Sequence, residues 1–228
     1  NGLMVQREIL SIHGRDIVMV RWKLLGRKPS RAVLRVRPKL TGRDYHSTHH
    51  ENGSLSTEAQ VGNGMVLWHP YSDLPQVRTF HSGGYRHEPI WYRYIQLPVE
   101  LQRGLDAEED WWSPGEFTFE LESGSTTILA LTSETVDRLD VVALAKGEKS
   151  RRDRARQVTR AADSLAGELW CAAERFLAER GTGQTVIAGY PWFTDWGRDT
   201  FISLPGLCLV TGRTDVAWQV IASFAAHV

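Results

Sequence analysis

RRDRARQVTRAADSLAGELWCAAERFLAER, residues 151–180, is where the hydrophobic period of this sequence changes. Ala155, Val158, Ala162, Leu165, Leu169, Ala172 and Phe176 recur at steps of three and four, one face of an amphipathic helix. Gly181 follows Arg180, a glycine just past a last turn that carries a cation. The spacing predicts one long helix over 151–180. The basic cluster Arg151, Arg152, Arg154 and Arg156 reads as its solvated face.

Upstream the period is two. Strands are predicted at 4–10, 17–22, 32–37, 65–68, 77–81, 90–97, 117–121 and 126–131, separated by turn clusters such as His13–Gly14–Arg15–Asp16 and Ser123–Gly124–Ser125. Many short strands with no helical run between them imply an antiparallel β-sandwich rather than βαβ units. Gly147, Glu148, Lys149 and Ser150 mark the expected boundary between an N-terminal domain, 1–146, and a helical one, 151–228. Further helices are predicted over 200–209, where Pro205 should kink or split the element, and over 214–228. Asn1 leads directly into strand and the last helix pattern has no stop signal, so both ends read as cut. Apolar residues of the cut helices, Leu204, Leu207, Leu209, Val216, Val220 and Ile221, are expected to lack partners.

With 228 residues, 42% hydrophobic, the chain can bury a core in one large domain or two small ones. Lys plus Arg equals Asp plus Glu, 27 each, without the basic excess of a nucleic-acid or membrane-surface protein. No stretch reads as a signal peptide or an apolar span. Cys171 and Cys208 lie in apolar runs without metal or disulfide spacing, which suits a reducing cytosol. The expectation is a cytoplasmic protein without cofactor or metal.

Nine Trp is a high count. An indole has a broad apolar face and one N–H donor, which matches the alternating apolar patches and hydroxyls of a sugar. Trp22, Trp170 and Trp218 read as core, whereas Trp111–Trp112 and Trp192 with Trp196 are clustered. The segment 189–200, GYPWFTDWGRDT, packs four aromatics, Asp195, Arg198 and Asp199 into a predicted loop between helices. Aromatic faces stack on sugar, while Arg and Asp donate to and accept from vicinal hydroxyls. Three plainer roles stay open: Asp199 as a helix N-cap, Arg198 with Asp195 as a structural ion pair, and Tyr190, Trp192 and Phe193 as packing. Asp195 and Asp199 do not read as a glycosidase acid/base pair, since such carboxylates flank the scissile bond ~5–9.5 Å apart.

Two upstream segments are also candidates. His46, His49 and His50 lie between Asp44 and Glu51, and hydrogen-bonded loop histidines are expected there rather than a metal site. In residues 104–112 four acids, Asp110 among them, precede Trp111 and Trp112; this is either a loop reaching a glucan or a solvated acidic turn.

The run AGYPWFTDWGRDTFISLPGLCLVTGR, 188–213, resembles the signature of the bacterial and archaeal glycogen-debranching, amylo-α-1,6-glucosidase family. RPKLTGRDYHSTHHENG, 37–53, and WYRYIQLPVELQRGLDAEEDWWSPGEFTFEL, 91–121, are similar to that family's N-terminal domain, and the three blocks occur in order. The resemblance implies a β-sandwich followed by the first helices of an (α/α) barrel, the six-hairpin glycosidase architecture. It also implies inverting hydrolysis of the α-1,6-linked glucose at branch points of glycogen or limit dextrin. By resemblance, Arg198 and Asp199 grip hydroxyls of the terminal glucose, with Trp192 and Trp196 as stacking candidates and Asp195 beside them. The acid and base are expected beyond Val228, so this stretch alone should bind sugar without cleaving it. Two other readings remain: a non-catalytic carbohydrate-binding module, or another glycosidase or a phosphorylase of the same architecture.

Overall fold

A computed structural model describes residues 3–26, 31–44, 46–158, 165–190 and 193–226. Its contacts divide into two compact units, 1–146 and 147–228.

In the first unit the strands are β1 (Met4–Ser11), β2 (Ile17–Leu25), β3 (Arg31–Val36), β4 (Ala59–Gly62), β5 (Met65–Trp68), β6 (Val77–His81), β7 (Gly84–Gln96), β8 (Glu108–Glu122) and β9 (Thr126–Thr132), with a short helix α1 (Pro98–Gln102) before β8. They form a six-stranded sheet, β1-β2-β9-β6-β5-β4, and a three-stranded sheet, β3-β8-β7, in which all neighbours are antiparallel. One buried cluster joins them: Trp22, Leu24, Val66, Trp68 and Leu129 from the first sheet, Phe117, Phe119 and Leu121 from the second. Alternation along β8 explains the contribution, since Phe117, Phe119 and Leu121 share one face while Thr118 and Glu120 face solvent. Two antiparallel sheets over a shared core are the arrangement of a β-sandwich.

The larger sheet is also covered on its outer side. Ile17, Met19 and Ala130 point there and are buried with Leu10, Ile12 and Ala145, with Leu139, Val141 and Leu144 packed against them. Val141 and Ala145 belong to α2 (Val141–Val158), so residues 147–150, at the expected boundary, lie inside a helix.

The second unit departs from the single long helix. After α2 come α3 (Leu165–Ala173), one 3-10 turn (Glu174–Phe176) and then strands: β10 (Leu177–Arg180), β11 (Gly183–Gly189) and β12 (Phe193–Asp195), a three-stranded antiparallel sheet. Arg180 pairs with Gly183, leaving Gly181–Thr182 as a two-residue hairpin loop. Gly181 has φ +58°, the left-handed value that such a turn takes at its first central position. The glycine that reads as a helix stop is thus a hairpin corner. The predicted apolar face holds only in part: Leu165 and Leu169 are exposed, Phe176 packs against the core of the second unit, and Ala162 lies outside the described residues.

The predicted helix over 200–209 changes type at Pro205. α4 (Gly197–Leu204) runs into a π-helical turn (Pro205–Leu209), closed by Val210 N–H donating to the Pro205 carbonyl at 2.9 Å. A proline at the first position of that turn gives up an amide the wider ladder does not need there. α5 (Thr214–Ala225) follows. Leu204 and Val220, expected to lack partners, are buried with Val186, Cys208 and Ala217, and Leu207 and Val216 pack against that core. Leu209 and Ile221 are exposed as expected, and Trp218, read as core, is largely exposed too.

Candidate functional site

In the second unit the candidate residues sit where β12 turns into α4. Asp195, the last residue of β12, pairs with Ile187 on β11. Its Oδ2 takes the Arg180 guanidinium at 2.9 Å and the Thr185 hydroxyl at 2.9 Å. Asp195 therefore ties the small sheet together, and its ion-pair partner is Arg180 rather than Arg198. Trp196 is the N-cap of α4: it uses no side-chain cap, and its carbonyl accepts the Thr200 N–H at 2.8 Å. Asp199 is consequently the third residue of the helix, and the N-cap role is ruled out. An acid there still faces the positive end of the helix dipole.

What remains at the surface is an aromatic and charged ledge. Trp196 is 62% exposed, and Phe193 and Tyr190 are similarly open. Tyr190 donates its hydroxyl to the Arg175 carbonyl at 2.9 Å and rests near Phe176. The Arg198 guanidinium and Asp199 carboxylate come to 4.0 Å, the limit of an ion pair, with side chains 78% and 48% exposed. Two opposite charges in water lose little when they exchange each other for a ligand hydroxyl. Trp192, the remaining stacking candidate, lies outside the described residues.

A network of ion pairs links α2, the 3-10 turn and the start of α5. Glu148 and Glu174 hold Arg151, at 3.0 and 2.6 Å, and Glu174 also takes Arg213 at 2.9 Å just before α5. Arg213 lies 5.2 Å over the Trp170 ring. The Arg151 guanidinium is raised above its usual value, first by its bonds to Glu148 and then by Glu174 against the cost of burial.

In the first unit, residues 108–112 belong to β8 rather than to a loop. Trp112 is fully buried and, with Leu40, Leu55, Tyr71 and Leu74, lines an apolar cavity of about 80 Å3. Ligand clefts run to roughly 300–1,000 Å3. Trp111 donates its indole N–H to Glu109 at 2.6 Å. Glu109 is buried and takes Arg43 at 2.6 Å through Nε and 3.2 Å through Nη2. Burial alone would raise the Glu109 carboxyl; Arg43 and Trp111 outweigh it and hold it below the usual carboxylate range.

Asp110 anchors two backbone amides. Its Oδ2 accepts the Glu51 N–H at 2.9 Å and its Oδ1 the Tyr94 N–H at 3.0 Å. These bonds, the Glu51 amide first, keep its carboxyl below the usual range. The histidine segment docks on the same strand. His49 Nδ1 faces the Asp110 carbonyl at 3.1 Å, so that nitrogen donates; in the neutral ring Nε2 then accepts from the Tyr71 hydroxyl at 2.7 Å. Asn52 donates to the same Tyr71 oxygen at 2.8 Å, and the His49 ring lies 5.4 Å from Trp91. His46 turns back onto Asp44, and His50 approaches Asp110 at 3.8 Å. Among the described residues no group of three or more His, Cys, Asp or Glu side chains could hold a metal ion.

Fold and surface thus define a two-part protein, a β-sandwich ahead of a mixed unit that presents an open aromatic-and-charged ledge. Two family models match it in order: glycogen debranching enzyme N terminal over residues 1–128 and amylo-alpha-1,6-glucosidase over residues 171–228. The first covers more than half of the chain, and the chain belongs to the glycogen debranching enzyme family. A search of the curated proteins finds no match.

Proposed function

We propose that this chain is part of a glycoside hydrolase that removes α-1,6-linked glucose at trimmed branch points of glycogen or limit dextrin, with inversion. The observation that carries it is the amylo-alpha-1,6-glucosidase match over 171–228, which contains the whole ledge. Residues 151–228 then open an (α/α) barrel, and 1–146 form the N-terminal domain. Arg198 donates to, and Asp199 accepts from, outer hydroxyls of the terminal glucose, with Trp196 and Trp192 stacking beside them. Each such charge-assisted bond contributes about 1.5–3 kcal/mol. Asp195 supports the ledge from behind through Arg180 and Thr185.

No residue of this chain is assigned as acid or base: Asp195 is committed to the sheet through Arg180 and Thr185, and Asp199 is given to the glucose hydroxyls. The chain by itself is expected to bind glucan without releasing glucose. A storage glucan and two unbridged thiols, Cys171 and Cys208, fit a cytoplasmic setting. No described helix is long and apolar enough to cross a membrane.

The test is substitution at Asp199 in the complete enzyme. Asp199→Ala should cut kcat/KM on limit dextrin by roughly ten- to a hundred-fold, the loss of one charged hydrogen bond. Asp199→Asn keeps an acceptor and should lose less. A helix-dipole role predicts another pattern: about 0.3–1 kcal/mol of stability lost in both variants, restored by Glu, with turnover unchanged. Normal turnover in Asp199→Ala would remove the residue from the sugar site.

A further inference from the structure

Tyr94 is the one non-glycine residue with positive φ among the described residues, at +59°. A bulky side chain is strained in that left-handed region, by roughly 1–3 kcal/mol, and such residues persist where the surroundings over-determine them. Here the surroundings do. Register along β7 and β8 runs Tyr92↔Trp111 and then Ile95↔Glu109, so Arg93 and Tyr94 together oppose the single residue Asp110. That is a β-bulge, which re-aims a side chain. The Asp110 carboxylate fixes it by accepting the Tyr94 N–H, and with its other oxygen it binds the Glu51 N–H.

Glycine would occupy this corner without strain. The tyrosine there is instead 73% exposed. The same carboxylate lies 3.8 Å from the His50 imidazole and holds the backbone N–H of Glu51, whose side chain pairs with Arg93. His50 and Arg93 are more than half exposed. An open tyrosine whose backbone shares the Asp110 anchor with His50 and with the Glu51–Arg93 pair brings an aromatic face and polar groups to one region of the strand surface, a combination suited to a sugar, apolar on its C–H face and polar at its hydroxyl rim.

We propose that Tyr94, with His50, Arg93 and Glu51, forms a second α-glucan contact on the β-sandwich, separate from the Arg198–Asp199 ledge. Glucan as the ligand class rests on the debranching reading; the platform itself rests on the strained tyrosine. Its role is to hold a stretch of α-1,4-linked chain.

The test uses electrophoretic retardation of the 228-residue chain in gels containing glycogen, with maltoheptaose titration as a second readout. Tyr94→Gly removes the ring and relieves the strained backbone, so the variant should melt at or above the parent temperature. Its glucan affinity should still fall about tenfold, the scale of losing an aromatic anchor. Tyr94→Phe should retain most of the binding, and Trp196→Ala should leave a residual affinity that Tyr94→Gly abolishes. Parent-like affinity in Tyr94→Gly, loss of all binding with Trp196→Ala, or a parent chain that binds neither glucan would overturn the proposal. A parent chain that binds neither glucan would also contradict the expectation that this chain binds glucan by itself; the other outcomes leave the debranching reading to turnover by the Asp199 variants.

Discussion

Asp110 shows how much organisation one carboxylate can carry. It sits on β8 and terminates two backbone amides, Glu51 from the histidine segment and Tyr94 from the bulge. The lowered carboxyl gives a pH dependence whose sign follows directly. A group more acidic when folded contributes its stability fully above its unfolded value, near ~4, and loses it as pH falls through the lowered folded value. The chain should therefore lose stability on acidification below about pH 4, with Asp110 contributing to the slope. Asp110→Asn can accept only one of the two amides, and should cost about 1–3 kcal/mol at neutral pH while flattening that slope. Urea unfolding from pH 6 to 2.5 on both proteins checks it; an unchanged slope in the variant would place the acid sensitivity elsewhere.

At the level of elements, most strands of the sandwich were legible because alternation and turn residues agree, as in Phe117, Phe119 and Leu121, which alternate with Thr118 and Glu120 ahead of the Gly124 turn, whereas β4 and the first half of β8 were not read as strand. The small sheet was not. Leu169, Ala172 and Phe176 continue a helical spacing up to the point where the chain turns to strand, and Gly181 looks the same at a helix end as at a hairpin corner. The usable signal was the β-branched run Thr185–Val186–Ile187 after Gly183. The ledge residues were found by composition. Asp195's commitment to Arg180 depends on a sheet that the helix reading removed, and Tyr94's left-handed backbone leaves no mark in sequence.

Gly183 adds a test of this sheet. A β-carbon there would collide with the Ser223 hydroxyl on α5, because helix and β11 pack at that point. Gly183→Ala should cost about 1–3 kcal/mol, and Ser223→Ala in the same chain should recover most of it. Thermal melts of the two single variants and the double measure the coupling; additive effects would mean that α5 does not approach β11 this closely.

For the molecule as a whole, two units of different character follow one another, and their order is that of the two family matches. The first is closed: two sheets over one core, with Leu139, Val141 and Leu144 packed on the outer side. The second leaves Leu209, Val210, Trp218 and Ile221 exposed beside a compact core, and the barrel reading would place further helices there. Central to the account is that the second unit carries a terminal-glucose site at the start of α4. Hydrogen–deuterium exchange on this chain, with and without a branched limit dextrin, tests it most directly. Amides of residues 193–200 should slow on adding dextrin, because Arg198, Asp199 and Trp196 become engaged there. Unchanged exchange across 193–200, with glucan protection confined to the sandwich, would contradict it and make this chain a carbohydrate-binding module instead.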